Sequence, residues 1–134
     1  MKPLELNIPE VVAEVTELFE RYEQALDDKN IAVLDATFWN SPHTIRYAMH
    51  EHGYGFDQIH DQRVARPKGS KISDKRTRLQ ITTMGRDAAV TALEFSLIGR
   101  TEIARQSQFW VRFPDVGWKV VHAHVSTIPG EKYW

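Results

Sequence analysis

Three hairpin-length connectors in the second half of the chain, Gly85-Arg86-Asp87, Gly99-Arg100-Thr101 and Pro114-Asp115-Val116-Gly117, constrain its fold more than any other feature. They separate four long segments rich in β-branched and aromatic residues, 75–84, 88–98, 102–113 and 118–128. Links this short join antiparallel neighbours, so the four segments are expected to form a meander. Long antiparallel strands twist and curl, and the concave side of such a sheet needs an apolar cargo.

The first half supplies that cargo. Val11, Val12, Val15, Leu18, Phe19, Tyr22, Ala25 and Leu26 recur at helical spacing, which predicts a helix of about five turns with one apolar stripe. Asn7 is the expected cap, with Pro9 in the first turn and Glu10 as its capping-box partner. Asn30 is placed to cap a short helix over 31–37, and 44–49 alternates like a strand. The segment 50–55, with two glycines, reads as a turn into a third helix over 56–65, ended by Pro67, Gly69 and Ser70.

This order, with helices first and a meander last, defines an α+β cone rather than a doubly wound sheet. At 134 residues the chain is expected to be a single domain over 1–134. A helix that fills one half of the cone leaves a cavity in the other half.

Composition narrows the function. The formal charge is −1, from 17 basic and 18 acidic residues, so bulk charge favours neither nucleic acid nor membrane as a partner. The absence of cysteine removes disulfides, thiolate nucleophiles and Cys-based metal sites. The stretch MKPLELNIPE lacks the apolar core of a signal peptide and no apolar run is long enough to span a membrane, so a cytoplasmic location is expected. No phosphate-binding glycine loop, nucleophile elbow or paired-carboxylate motif is present.

Four groups of polar residues are candidates for chemistry. Tyr22 falls in the middle of the apolar stripe, so its ring points into the cone as a satisfied core tyrosine or as a donor to the cavity. Arg46 lies between Ile45 and Tyr47, facing either inward, where its fork of donors suits a carboxylate, or outward to solvent. Arg105 and Ser107 share a strand face with Phe109, Val111 and Phe113, the gradient expected of a core that opens into a polar pocket or of a strand end reaching solvent. His122, His124 and Ser126 share another face, and His50 and His52 form a second His-x-His pair. Neither pair has an acid at distinctive spacing as a third ligand, so no metal is expected. Glu94 stands alone in an apolar strand, as a surface residue or as a partner for an arginine.

Taken together, FERYEQALDDKN, TIRYAM followed by GYGFDQI, ARQSQFWVRFPD and GWKVVHAHVS resemble the AtzH-like family, whose members share the NTF2-like or SnoaL-like cone with ketosteroid isomerases. The resemblance runs over about 8–128, although the turn at Asp115-Val116-Gly117-Trp118 is one residue longer than in most cone proteins and His122 is an additional histidine. It implies cofactor-independent decarboxylating amidohydrolysis of 1,3-dicarboxyurea to allophanate in cyanuric acid breakdown, with relatives in oxalurate catabolism. It implicates Tyr22 and Arg46 as the catalytic pair. Arg105, Ser107 and His124 are expected to bind the small anionic urea carboxylate, and the open sheet face to pair two copies as a homodimer. Two other functions fit a cone: an accessory subunit of an amidase, and a cofactor-free isomerase or lyase that uses a buried carboxylate as base.

Overall fold

In the computed structural model, which describes residues 3–67, 69 and 71–130, three helices pack against one six-stranded sheet. Helices α1 (Pro9–Asp28), α2 (Ile31–Thr37) and α3 (Phe56–Ala65) accompany strands β1 (Ile45–Tyr47), β2 (His52–Tyr54), β3 (Ser73–Met84), β4 (Ala88–Leu97), β5 (Ile103–Phe113) and β6 (Gly117–Ile128). The sheet runs β2-β1-β6-β5-β4-β3, all antiparallel except for the β1–β6 pair. Ser70 lies outside the described residues. No helix among the described residues is long and apolar enough to cross a membrane.

The four long strands form the expected meander, with ends within two residues of those read from the sequence. The start of α1 differs. Asn7 has φ 54° and spends both its backbone and its amide on β3, donating from its N–H to Thr83 O (3.0 Å) and accepting the Thr83 N–H at Oδ1 (2.9 Å). Ile8 therefore occupies the cap position, Pro9 begins the helix, and Glu10 pairs with Arg86 (2.8 Å) instead of closing a capping box. Asn30 does cap α2, accepting the Val33 N–H at 3.2 Å. Asn30→Ala is expected to cost about 1 kcal/mol in urea denaturation; an unchanged midpoint would mean that tertiary contacts alone hold α2.

The 50–55 segment is more than a turn, because 52–54 pairs with β1 as a short edge strand. Gly53 permits it: a Cβ there would fall 2.6 Å from Ile59 Cγ1, so β2 can press against α3 only without a side chain. Gly55, at φ +90°, then turns the chain into α3.

The core is the apolar stripe of α1 against the concave sheet face. Val11, Val15, Phe19 and Tyr22 pack with Ala89, Leu93, Trp110 and Val120. Trp110 is fully buried, and its indole N–H donates to Thr91 Oγ1 (3.1 Å), which itself donates to Gln108 Oε1 (3.0 Å). Trp110, Thr91 and Gln108 thus enter the core as a hydrogen-bonded chain, although Gln108 Nε2 itself has no partner among the described residues. The core fills the end of the cone near the N-terminal half of α1, and a cavity of about 660 Å³ occupies the other end.

Candidate active site

The cavity is bounded by the C-terminal half of α1, by α3 and by the inner faces of β1, β4, β5 and β6. Leu26, Leu34, Leu93, Phe95 and Val125 make its apolar walls. Basic side chains outnumber acidic ones along its lining.

Tyr22 reaches it from α1. The residue is 3 % exposed, and its ring packs against Phe38 with centroids 5.8 Å apart. Among the described residues nothing hydrogen-bonds its hydroxyl, yet that oxygen is not sealed from solvent. A phenol packed on its ring and open at its oxygen is a donor presented to the cavity.

Arg46, the middle residue of β1, lies inward and is 8 % exposed. Its register partners are Gly53 on β2 and Ala123 on β6, both small, so the long side chain has room on the concave face. Its Nη1 donates to Glu51 Oε1 (3.2 Å), which also accepts from Arg66 Nη2 (2.8 Å). Burial pulls the Arg46 pKa down; the Tyr22 phenol opposes that, nearby Arg66 and Arg63 reinforce it, and the bond to Glu51 opposes it. Burial pushes the Glu51 pKa up, but the hydrogen bonds and charges of Arg66 and Arg46 together outweigh it and hold the carboxyl below its usual range. Guanidinium remains the charged form of arginine even so, which makes Arg46 a fixed cation in a low-dielectric wall.

Arg105, Ser107 and His124 do not join this group. All three are exposed on the opposite, outer face of the sheet, where Arg105 Nη2 donates to Ser126 Oγ (3.4 Å). The expectation that they bind substrate in the cavity is corrected by two local features. On β5 the inward residues are Ala104, Gln106, Gln108 and Trp110, because Gln106 bonds Glu23 and Gln108 Oε1 accepts from Thr91 inside while Phe109 is left 41 % exposed. On β6 the register slips by one residue between the Trp110–Val120 and Phe109–His122 pairs. That bulge turns the strand over, so Trp118 and Val120 face the core while His122 and His124 face out. The two imidazoles flank the Tyr47 ring edge-on at 5.7 and 5.5 Å. Glu94 lies opposite both Arg78 and Arg105 across the ladders.

Three polar residues of the cavity escaped the sequence reading. Arg63, on the buried face of α3 one turn from Ile59, donates from Nη1 to Asp35 Oδ1 (3.0 Å) and stacks 4.3 Å over the Phe38 ring. Gln106 donates from Nε2 to Glu23 Oε1 (3.4 Å). Glu23 follows Tyr22 on α1, and its signal in the sequence was its place one turn from both Phe19 and Leu26, at the margin of the stripe.

Burial pushes the Glu23 pKa from 4.5 up to about 7, with Arg76 and the Gln106 bond opposing and Asp27 and Glu20 assisting. The folded chain therefore holds this proton to higher pH than the unfolded chain, and stability is lost as pH rises from 4.5 through about 7. Glu23→Gln is expected to remove that loss, stabilising the chain by up to about 3 kcal/mol at pH 8 and little at pH 4. Urea denaturation at both values checks it, and equal differences at the two would refute a buried, proton-holding Glu23.

A curved, unclosed sheet wrapped on a helix, with a polar-tipped cavity at one end, defines an NTF2-like protein. An AtzH-like family model matches residues 4–131, and the chain belongs to that family. It is 43 % identical to a protein of unknown function of the DUF3225 family from Pectobacterium atrosepticum, over 92 % of this chain and 94 % of that one, with a TM-score of 0.87. A cystatin-like fold protein from Burkholderia xenovorans is 38 % identical over 94 % of this chain and 98 % of its own, with a TM-score of 0.88. An NTF2-like superfamily protein from Salmonella enterica is 26 % identical over 93 % and 94 %, with a TM-score of 0.70. No curated protein matches the chain.

Proposed function

We propose that the chain is a cofactor-independent hydrolase that removes one N-carboxylate from 1,3-dicarboxyurea and releases allophanate. The observation that carries this reading is the convergence of Tyr22 from α1 and Arg46 from β1 on one cavity whose charged lining residues are more often basic than acidic. Such a lining favours an anion, and a planar guanidinium holds a carboxylate through two parallel hydrogen bonds.

In the proposed step the bond between the urea nitrogen and its carboxylate carbon breaks, and the bonding pair passes to nitrogen. Tyr22 delivers the proton that this nitrogen needs and recovers one from water. The net change is 1,3-dicarboxyurea dianion plus water giving allophanate plus bicarbonate. Arg46 holds the remaining carboxylate and so fixes where the nitrogen lies relative to the phenol. The purified chain incubated with enzymatically generated 1,3-dicarboxyurea is expected to form allophanate well above the spontaneous rate. No acceleration would sink the reaction and leave the accessory-subunit role.

Glu23 favours one other reading. A cofactor-free isomerase needs a buried carboxylate base, and Glu23 is a largely buried carboxyl in this cavity with a raised pKa. Hydrogen exchange at the α-carbon of a small oxoacid in deuterium oxide, dependent on Glu23, would establish that chemistry in place of the hydrolase. On the outer sheet face, the exposed Tyr54 and Phe109 rings support pairing of two copies. Sedimentation at micromolar concentration tests this, and a monomer would exclude it.

A further inference from the structure

Of the two inward glutamines of β5, Gln106 alone lines the cavity. Its register partners are Leu93 on β4 and Val125 on β6, so its amide stands in an apolar wall. Glu23 meets it from α1, accepting from Gln106 Nε2 at Oε1 (3.4 Å). The other two oxygens of the pair, Gln106 Oε1 and Glu23 Oε2, have no hydrogen-bond partner among the described residues, and neither is sealed off. Gln106 is only 6 % exposed, so its oxygen opens into the cavity.

The charges around the pair decide what it offers. Burial is the largest influence on Glu23 and favours its protonated form; Arg76 on β3 and the Gln106 bond oppose it, while Asp27 and Glu20 on α1 assist. Arg76 is itself bound to Glu20 (2.6 Å) and Asp27 to Lys71 (3.5 Å), so no free cation is committed to Glu23 among the described residues. With Oε1 already accepting from Gln106, the proton belongs on Oε2. The pair then presents one O–H donor and one carbonyl acceptor from a wall where hydrogen bonds are stronger than in water. A carboxylate is repelled by the acceptor and an ammonium by the donor. An amide edge satisfies both, its carbonyl accepting and its N–H donating.

We propose that Glu23 and Gln106 form a neutral subsite that selects ligands with an uncharged amide or ureido edge beside the carboxylate held by Arg46, the Glu23 acid donating to the carbonyl and Gln106 Oε1 accepting the N–H. The inference rests on Arg46 as the carboxylate anchor and deepens the proposed function by naming what reads the uncharged middle of the substrate. Tyr22 stands between the two subsites: it precedes Glu23 on α1 and is close enough to Arg46 to favour its charge. A donor on the urea carbonyl also stabilises the charge that spreads onto that oxygen as the N–C bond breaks.

The test is binding, so it is independent of turnover. Ureidoacetate carries a carboxylate and a ureido group, and 4-methylpentanoate has the same shape with carbon in place of the ureido nitrogens and oxygen. By calorimetry, ureidoacetate affinity is expected to fall about tenfold between pH 6 and pH 8 as Glu23 loses its proton, and 4-methylpentanoate affinity to fall much less. An equal fall for both would make Glu23 a charge that repels any anion, and a rise would make it an acceptor; each overturns the proposal. Glu23→Gln keeps a donor at every pH and is expected to bind ureidoacetate equally at both values. Among the described residues His50 is the only imidazole of the lining, so a fall that persists in Glu23→Gln belongs there and removes Glu23 from the subsite. Gln106→Leu is expected to weaken ureidoacetate about 5- to 10-fold without weakening 4-methylpentanoate, and an equal loss for both overturns the role of Gln106; should that variant not fold, the Glu23→Gln comparison decides. Ureido selection without turnover of 1,3-dicarboxyurea would keep the subsite and sink the reaction, and turnover without that selection would do the reverse.

Discussion

Arg46→Ala is expected to lower kcat/KM for 1,3-dicarboxyurea by about 10²- to 10³-fold or more, the scale on which one preorganised charged donor in a water-poor site acts. The loss should fall on KM as well as kcat, because Arg46 grips a carboxylate present in substrate and transition state alike. The substitution should leave a folded protein. Glu51 retains its 2.8 Å bond to Arg66, so no carboxylate is stranded, and the repulsion that Arg46 suffers from Arg63 and Arg66 disappears. Arg46→Lys tests geometry apart from charge. It keeps the cation but not the fork, and only a small part of the loss should be recovered. A melting temperature near that of the unaltered chain together with unimpaired kcat/KM would reduce Arg46 to a structural partner of Glu51.

The fold was legible because it is written in strong local signals. The α1 stripe, the Asn30 cap and three short connectors each have one ready structural solution, and their observed positions lie within two residues of the expected ones. What escaped was set by contacts distant in the chain. Asn7 has a capping side chain, but β3, more than seventy residues away, claims it. The strand 52–54 is too short to signal itself and exists because β1 offers it an edge.

The site divides along the same line. Tyr22 is placed by helical periodicity, which continues through a rigid element and so predicts direction well. Residues on β5 and β6 are placed by parity, which one inserted residue reverses. Without the bulge near Val121, His122 and His124 would share the inner face with Trp118 and Val120. Polarity gave no warning, since Gln106 and Gln108 turn inward with their hydrogen-bond partners while Phe109 turns out. Arg63 was invisible for a further reason. A basic residue in the last turn of a helix is ordinarily a solvated complement to the helix dipole, and only the packing of α3 against α2 and β2 buries it.

Tyr22→Phe is expected to separate chemistry from structure more sharply than any other change. It removes one oxygen and keeps the ring, so the packing of Tyr22 against Phe38 at 5.8 Å and against the core is retained. Because no described residue hydrogen-bonds that oxygen, no protein donor or acceptor is orphaned by its loss, and the melting temperature should move little. The substrate should still bind, its remaining carboxylate resting on Arg46 and not on the phenol. What disappears is the proton for the departing nitrogen, and positioned proton transfer contributes about 10²- to 10⁴-fold. The expected signature is therefore a kcat lower by that factor with KM within about threefold of the original, read as lost transition-state stabilisation. A kcat reduced less than about twofold would return Tyr22 to the core as a packing residue. The proton would then have to come from elsewhere in the cavity, and Glu23, with its pKa near 7, is the group positioned to supply it.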